Sequence, residues 1–392
     1  MDNKTFCAAP WFGIRFDSDG QYRPCCQLSE DLSEFTGQKK FYLKDSTTEQ
    51  WMSSEYSQYL RQQLTEGNRI AECSRCWQKE DHALESLRNE TNNIVTNNQG
   101  HEPDRTWVKM YVDRNRDYKN YYIRVADVKV SNVCNFACAM CEPSESSKLY
   151  DRWNKDQNNE FVQETLATNK TYFADIVKTY QDTRNYAHLT DILKQPLTHL
   201  KLLGGEPLLD KKLFEILEQH TNKAKLSLHF ITNGSQDIVA AATRLKDYHS
   251  VSFGVSLEGI DTMQDYVRNG SKWSQVERNI LDATAAGIRV SITHVLQAMS
   301  IMRLHELVAW CDKHNLELQV QPMAQPSYLQ VSVLPLELRK QACEHLAPNL
   351  QELVLNAQDN SHLFPRFLKY VEWYEQPHAL KLAEVCSEFS TL

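Results

Sequence analysis

The sequence predicts an α/β protein, built as a partial (β/α)6 TIM-like barrel with a small N-terminal α+β cysteine-rich domain and C-terminal helices. Three observations support this fold class. Short apolar segments alternate with amphipathic helical ones in the middle of the chain, cysteines cluster near its start, and helical patterns fill its end. Strands that alternate with helices form a parallel sheet with right-handed crossovers.

Six strands are predicted in the middle of the chain. They lie near Ala126–Asn132, His199–Gly205, Lys225–Asn233, Ser250–Glu258, Arg289–Gln297 and Leu316–Met323. Amphipathic helices separate them from the second strand onward, near Lys211–Asn222, Asp237–Tyr248, Trp273–Ala286 and Arg303–His314. In barrels of this kind the reactive residues follow the C-terminal ends of the strands, so we expect the site at that face.

Composition divides the chain into four regions. Residues 1–90 are rich in cysteine, and residues 91–125 are polar and asparagine-rich, as in a linker or crossover. Residues 126–325 form the predicted barrel, and residues 326–392 form a helical extension. Within the barrel, segment 142–196 is far longer than an ordinary connection. Its aromatic residues predict a helical insertion packed on the barrel, with a lid over the barrel mouth as the alternative.

Charge and hydropathy exclude several classes of protein. The 392 residues carry a net charge of −8, so no global basic field attracts nucleic acid or an acidic membrane. The sequence has no run of eighteen apolar residues and no apolar signal core at its start, which predicts a cytoplasmic protein without a membrane segment. In that compartment, eleven cysteines indicate metal ligation rather than disulfides.

The segment that follows the first predicted strand places Cys134, Cys138 and Cys141 at the spacing C-x3-C-x2-C. Three thiolates on one short loop can bind three irons of a cubane cluster and leave the fourth iron open. The alternative is a helix with three buried thiols on one face. Asn132 and Asn135 argue against this helical alternative, because asparagine is a poor residue for a helix interior.

A second motif ends the second predicted strand. Gly204, Gly205, Glu206 and Pro207 follow a short apolar run. Paired glycines at a strand end allow the backbone to approach a ligand closely, since no side chain stands in the way.

Together, C-x3-C-x2-C and the strand ending in GGEP resemble the radical S-adenosylmethionine (SAM) superfamily. The resemblance implies that Cys134, Cys138 and Cys141 hold a [4Fe-4S] cluster and that the glycine-rich strand end meets the amino group of SAM. It further implies reductive cleavage of SAM to a 5′-deoxyadenosyl radical, which requires an external one-electron donor such as flavodoxin or ferredoxin. Met140 stands where the superfamily usually has an aromatic residue.

The resemblance extends to residues after other strands. Thr232 and Asn233 end the third strand at the same face, and Ser256 lies in a segment similar to the family's SLDG, with Glu258 in place of its aspartate. Ser256 is a candidate for the SAM ribose or carboxylate. Arg268 matches an arginine that pairs with the SAM carboxylate in related enzymes, for which a guanidinium fork is well suited. Gly204, Gly205 and Glu206 are expected at the methionine end.

A second group of cysteines lies in the N-terminal region. A turn at Asp17–Gly20 predicts a hairpin between Trp11–Phe16 and Gln21–Arg23. The cysteines that could act as ligands are Cys7, Cys25, Cys73 and Cys76, with Cys26 as a spare or a replacement for Cys25. Their spacing alone does not separate zinc from an iron–sulfur cluster.

The pattern C-x12-G-x4-C followed by C-x2-C-W resembles the SPASM/twitch module, which implies one auxiliary [4Fe-4S] cluster at this second group. The module usually follows the barrel, whereas here it precedes it. A structural zinc knuckle is the alternative.

These resemblances predict a radical SAM enzyme that abstracts hydrogen from a peptide or protein side chain, or from a sugar or another small molecule. Its auxiliary cluster would transfer electrons. The competing class is a non-enzymatic metal protein, either a zinc-stapled binding module or an iron–sulfur electron carrier. Gly204–Pro207, Ser256 and Arg268 argue against it, because a carrier does not need a SAM site.

Overall fold

The described part of the protein contains a mixed eight-stranded sheet flanked by helices and a separate two-stranded sheet. The structure, a computed structural model, describes residues 4–17, 19–81, 85–96, 105–168 and 184–390. Its strands are β1 (Gly13–Phe16), β2 (Tyr22–Arg23), β3 (Val125–Lys129), β4 (Ala137–Cys138), β5 (His199–Leu203), β6 (Ser227–Thr232), β7 (Ser250–Ser256), β8 (Arg268–Asn269), β9 (Arg289–Leu296) and β10 (Glu317–Pro322). The main sheet has the order β10-β9-β7-β6-β5-β3-β1-β2.

All six predicted barrel strands are present, as β3, β5, β6, β7, β9 and β10, and neighbours among them pair in parallel. The predicted fold class, a partial (β/α)6 barrel, is confirmed. The described helices are Ala9–Phe12, Thr48–Met52, Glu55–Glu66, Ser74–Asp81, Leu87–Thr96, Arg105–Arg114, Ser147–Lys155, Glu160–Thr168, Arg184–Ile192, Lys211–Gln219, Ile238–Arg244, Asp261–Val267, Trp273–Ala285, Leu304–Lys313, Leu336–Cys343, Pro348–Leu355, Phe364–Glu375 and Leu382–Val385.

The N-terminal hairpin joins the barrel sheet. β1 and β2 pair in antiparallel fashion, as predicted, although Trp11 belongs to a short helix that starts at Ala9 with Pro10 in its first turn. β1 also pairs in parallel with β3, which sequence reasoning did not anticipate. The main-chain hydrogen bonds of the barrel therefore continue into the N-terminal region. The boundaries of the four regions remain a prediction.

The same N-terminal region reaches the opposite edge of the sheet. Lys79, on the helix Ser74–Asp81, donates a hydrogen bond of 2.6 Å to the side chain of Gln321 on β10. β1 and β10 lie toward opposite ends of the strand order, so one segment spans the gap that an open barrel leaves between them. The sheet must curve for this contact to form.

Segments outside the barrel strands are mostly helical. In the predicted linker, Val108 and Val112 of helix Arg105–Arg114 are buried in a small apolar cluster with Trp11 and Phe12. The insertion 142–196 contains three described helices, while residues 169–183, which include part of its predicted aromatic set, lie outside the described residues. Within the described ranges, no helix is long and apolar enough to cross a membrane.

Candidate active site

The segment that carries Cys134, Cys138 and Cys141, here called the cysteine loop, follows β3 at the C-terminal face of the barrel. It is extended around β4, so the alternative of three thiols along one helix is wrong. Burial raises the pKa of Cys134 to about 12, with the neighbouring Cys138 adding to the shift. A hydrogen bond from Cys141, together with Arg268, lowers the pKa of Cys138 despite its burial. The three thiols therefore lie within electrostatic reach of one another.

The cysteine loop pairs with the segment that carries Arg268. β4 and β8 form a two-stranded antiparallel sheet in which Cys138 faces Arg268 and Ala137 faces Asn269. The Nη1 atom of Arg268 lies 3.8 Å from the sulfur of Cys138. The pairing places a buried positive charge beside one of the three thiols.

Arg268 is held by a buried acid. Its Nη2 atom donates to Glu258 Oε1 at 2.8 Å, and the Glu258 side chain is fully buried. Although burial opposes its charge, Cys138 and Glu258 raise the pKa of Arg268. Its Nε atom is buried and has no hydrogen-bond partner among the described residues. Arg268 therefore keeps one donor available beside the cysteine loop.

Glu258 also contacts β9. Its Oε2 atom accepts a hydrogen bond of 3.2 Å from the backbone N–H of Val295 and lies 3.4 Å from Nδ1 of His294. Burial lowers the pKa of His294, which favours the neutral ring. The glutamate at the position of the family's aspartate thus joins the ends of β7 and β9 to Arg268.

Gly204 and Gly205 press against the cysteine loop. Both have positive φ, +87° and +50°, and a Cβ atom on Gly205 would lie 2.3 Å from the carbonyl oxygen of Val133. The backbone N–H of Glu206 donates to that same oxygen at 2.7 Å. Any side chain here would displace the loop, because L residues avoid this conformation and no space is left. The close approach in this structure is to the backbone of the cysteine loop.

The carboxylate of Glu206 ties β5 to β6. It accepts hydrogen bonds from the Thr232 hydroxyl at 2.7 Å, the Asn233 backbone at 2.6 Å and the Leu208 backbone at 3.0 Å. Burial raises its pKa, while these donors act in the opposite direction. Glu206 and Thr232 are therefore occupied by contacts within the protein.

Asn233 and Ser256 differ in their surroundings. The Asn233 amide donates to the side-chain oxygen of Asn135 at 2.9 Å and lies 3.9 Å from the sulfur of Cys134, so it contacts the cysteine loop directly. Ser256 ends β7 and is half-buried. Its hydroxyl has no hydrogen-bond partner among the described residues, which leaves it available to a ligand.

Sequence reasoning missed the contribution of the C-terminal helix Phe364–Glu375. The Tyr374 hydroxyl lies 2.9 Å from the carbonyl oxygen of Val267, 3.0 Å from that of Tyr266 and 3.3 Å from that of Ala137. Tyr370 donates to the carbonyl of Ala139. The sequence predicted helices in this region, but nothing local showed that one of them covers the cysteine loop.

The N-terminal thiols surround a separate pocket. Its lining includes Cys7, Cys25, Cys73 and Cys76, with Arg88 and Thr91 beside them. Burial raises the pKa of Cys7 to about 12, and Cys76 contributes to the shift. Cys26 is absent from the lining, although it lies within electrostatic reach of Cys25 and Cys76. The pocket thus contains the four predicted ligands and excludes the spare.

The spacing of the thiols bears on what they can bind. Within the described residues, no three His, Cys, Asp or Glu side chains are placed to hold a single metal ion. A structural zinc ion needs four ligand atoms, each about 2.3 Å away when the ligand is sulfur. A cubane cluster instead takes one thiolate on each iron, so its ligands stand further apart.

A family model described as the Radical SAM superfamily matches residues 128–310. The chain therefore carries a radical SAM domain, and that domain contains the cysteine loop, the Gly204–Gly205 pair and Arg268. This match supports an enzyme.

Curated relatives match about half of the chain. The probable GTP 3',8-cyclase of Methanococcus aeolicus is 24% identical over 208 residues, covering 52% of this chain and 61% of that protein. The GTP 3',8-cyclase of Klebsiella pneumoniae is 25% identical over 205 residues, covering 51% of this chain and 54% of that protein. The matches span less than two thirds of these relatives.

Solved structures give weaker alignments. Streptococcus suis SuiB bound to S-adenosylmethionine aligns at 11% identity with a TM-score of 0.38, over 91% of this chain and 71% of SuiB. Native anSMEcpe with bound AdoMet and Cp18Cys peptide aligns at 18% identity with a TM-score of 0.36, over 52% of each chain.

Proposed function

We propose that this protein is a radical SAM enzyme whose [4Fe-4S] cluster is bound by Cys134, Cys138 and Cys141. One observation carries the proposal: within a radical SAM domain, the three-cysteine loop is fastened on one side by Gly204–Gly205 and on the other by its pairing with Arg268. A loop fixed from both sides holds its thiolates in place before a cluster arrives. The cluster and SAM, when bound, supply reductive cleavage of a carbon–sulfur bond to a 5′-deoxyadenosyl radical.

The residues around the loop fit SAM. Arg268 retains a buried, unpartnered Nε donor, and Ser256 retains its hydroxyl, as expected of groups that wait for a carboxylate or ribose. Gly204 and Gly205 shape the loop, and we propose that their half-buried backbone also receives the methionine end. Glu206, Thr232 and Asn233 support this surface by joining β5, β6 and the loop.

The N-terminal pocket is proposed to hold an auxiliary [4Fe-4S] cluster with Cys7, Cys25, Cys73 and Cys76 as ligands. Four thiols around one pocket match the four irons of one cubane cluster. With all four irons ligated, the cluster would transfer electrons rather than bind substrate. Cys26 is left as the spare.

The proposed substrate is a peptide or a small molecule. The relatives named above are GTP 3',8-cyclases, while one SuiB structure is bound to the precursor peptide SuiA. We favour a peptide or protein side chain and keep a sugar or nucleotide as the second candidate. A flavodoxin or ferredoxin would deliver the electron, in the reducing cytoplasm where free thiols persist.

The competing function is a non-enzymatic metal protein. An electron carrier with two clusters would need neither the unpartnered donor of Arg268 nor the free hydroxyl of Ser256. Electron paramagnetic resonance (EPR) separates the two functions. The spectrum of the dithionite-reduced protein should change when SAM is added, because SAM binds the open iron of the barrel cluster, and the change should be absent in a Cys138→Ala variant. A spectrum indifferent to SAM would favour the carrier.

A further inference from the structure

The barrel strands have a dry face and a polar face. In β3, β5 and β6, buried residues alternate with half-buried ones. The buried side chains pack toward the outer helices; Phe230, for example, stacks on Phe214 of helix Lys211–Gln219. The half-buried side chains therefore line the inner, concave face, which solvent can reach.

One layer of this inner face is polar across five adjacent strands. The register aligns Arg15 with Asp127, Asp127 with Lys201, Lys201 with His229, and His229 with Ser252. Residues in register on neighbouring parallel strands project to the same face. Closed barrels usually fill this space with Val, Ile and Leu. A polar layer on this face is suited to contact with a polar molecule.

Most groups in this layer already have partners. Arg15 pairs with Asp127 Oδ2 at 2.5 Å and also with Asp17. The His229 ring bonds the Ser252 hydroxyl at 2.9 Å. Burial, reinforced by Lys201, lowers the pKa of His229 to about 3, so its ring is neutral at pH 7.

Two groups lack partners. Lys201 has no ion pair or hydrogen bond with any described residue. Asp127 Oδ1 is buried and also has no hydrogen-bond partner in the described structure. A buried polar atom without a protein partner is expected to form a hydrogen bond with a ligand or an ordered water. An ammonium and a carboxylate oxygen thus stand unsatisfied on neighbouring strands.

We propose that Lys201 anchors the substrate through an anionic oxygen of a carboxylate or phosphate, while Asp127 accepts a hydrogen bond from an adjacent N–H or O–H of the same molecule. The inference rests on the proposed function, since it takes the barrel interior as the substrate site. Lys201 precedes Gly204 by three residues, which places it about 10 Å below the strand end along β5.

The position of Lys201 would place a bound substrate between the two cysteine groups. The strand ends above Lys201 meet the cysteine loop at Gly204 and Gly205. In the same polar layer, Arg15 lies within electrostatic reach of Cys26, next to the N-terminal pocket. A molecule held by Lys201 would lie between the two proposed clusters.

Pyridoxal 5′-phosphate, an aldehyde that carries an anionic group, provides a direct probe. The reconstituted full-length protein would be treated with it, reduced with borohydride and mapped by mass spectrometry. Lys211, an exposed lysine on an outer helix, is the internal control. We expect glycerol 3-phosphate or N-acetylglutamate to slow labelling of Lys201 at least fivefold without affecting Lys211. Methyl phosphate and propionate, which lack the N–H or O–H donor, should protect less.

The outcomes distinguish a phosphate from a carboxylate as the anionic group, and they test this inference separately from the proposed function. Protection by glycerol 3-phosphate alone assigns a phosphate, and protection by N-acetylglutamate alone assigns a carboxylate. Protection by neither, or equal protection of Lys211, overturns the role of Lys201. Uncoupled cleavage of SAM is measured on the same preparation. If cleavage persists while protection fails, this inference alone falls; if protection succeeds while cleavage is absent, the proposed function falls.

Discussion

Arg268 and Cys138 face each other across a two-residue antiparallel pairing, with the guanidinium Nη1 atom 3.8 Å from the sulfur. Glu258 holds the guanidinium of Arg268 in place through a hydrogen bond of 2.8 Å. A positive charge at this distance stabilises a thiolate and the negative charge of a ligated cluster. The pairing links a proposed cluster ligand to the residue proposed to bind SAM.

Replacement of Arg268 by lysine should weaken SAM binding. A single ammonium cannot contact Glu258 and also supply the free donor that Nε provides. Loss of one charge-assisted hydrogen bond costs on the order of 1.5–3 kcal/mol, or roughly ten- to hundredfold in affinity. Isothermal titration of SAM into the reconstituted protein measures the change.

The matched control for this variant is Arg289→Lys, at an arginine whose side chain is 83% exposed at the start of β9. It should bind SAM as the wild type does. Unchanged affinity in Arg268→Lys would show that another residue holds the SAM carboxylate.

Metal analysis tests the two cysteine groups together. Anaerobically reconstituted protein should contain roughly eight irons, four at each group, and its broad absorption should bleach with dithionite. Simultaneous substitution of Cys134, Cys138 and Cys141 by alanine should remove about half of the iron. Stoichiometric zinc with no more than four irons would refute the auxiliary cluster and leave the barrel cluster in place.

The Tyr374→Phe variant tests the support of the cysteine loop by the C-terminal helix. The hydroxyl lies within hydrogen-bond distance of three buried carbonyl oxygens, and its removal leaves them without this donor. The expected cost is about 1–3 kcal/mol. The barrel cluster should be lost faster on exposure to air, as followed by absorption and EPR, while the N-terminal iron stays.

A suitable control is Tyr150→Phe, at a half-buried tyrosine on the insertion helix Ser147–Lys155. Equal rates of cluster loss in Tyr374→Phe and Tyr150→Phe would mean that the C-terminal helix does not stabilise the cysteine loop.

The features of the fold and site that could be predicted from the sequence are those with a local sequence signal. The strand–helix alternation of residues 199–323 is a local pattern, and it placed the barrel strands correctly. The cysteine spacings are local too, and Cys7, Cys25, Cys73 and Cys76 meet at one pocket. What the sequence could not show depends on contacts between distant segments.

Three such contacts matter here. The pairing of Cys138 with Arg268 joins residues 130 positions apart through only two residues on each side. The addition of β1 to β3 crosses most of the N-terminal region, and Tyr374 reaches Ala137 from the far end of the chain. None has a periodic or compositional signature, because each is set by tertiary packing.

The stability of the protein should depend on pH through His229. Its pKa in the folded state is about 3, below the ordinary value of 6.5, because of burial. Between these values the unfolded chain binds more protons than the folded one, so stability present above pH 6.5 falls as the pH is lowered. Between pH 7 and pH 5, His229→Gln should lose less melting temperature than the wild type does. The exposed His362→Gln variant should behave like the wild type, and an equal loss in all three proteins would contradict the assignment.

Formation of 5′-deoxyadenosine from SAM and dithionite, measured without substrate, tests the central claim most directly. The wild type should form it. A folded Cys73→Ala/Cys76→Ala variant should also form it, since the N-terminal group is proposed to lie outside the cleavage step, whereas Cys138→Ala should not. Circular dichroism and gel filtration confirm folding of each variant, because a metal site can also staple a domain. Absence of 5′-deoxyadenosine from reconstituted wild type, or equal formation by Cys138→Ala, would contradict the account.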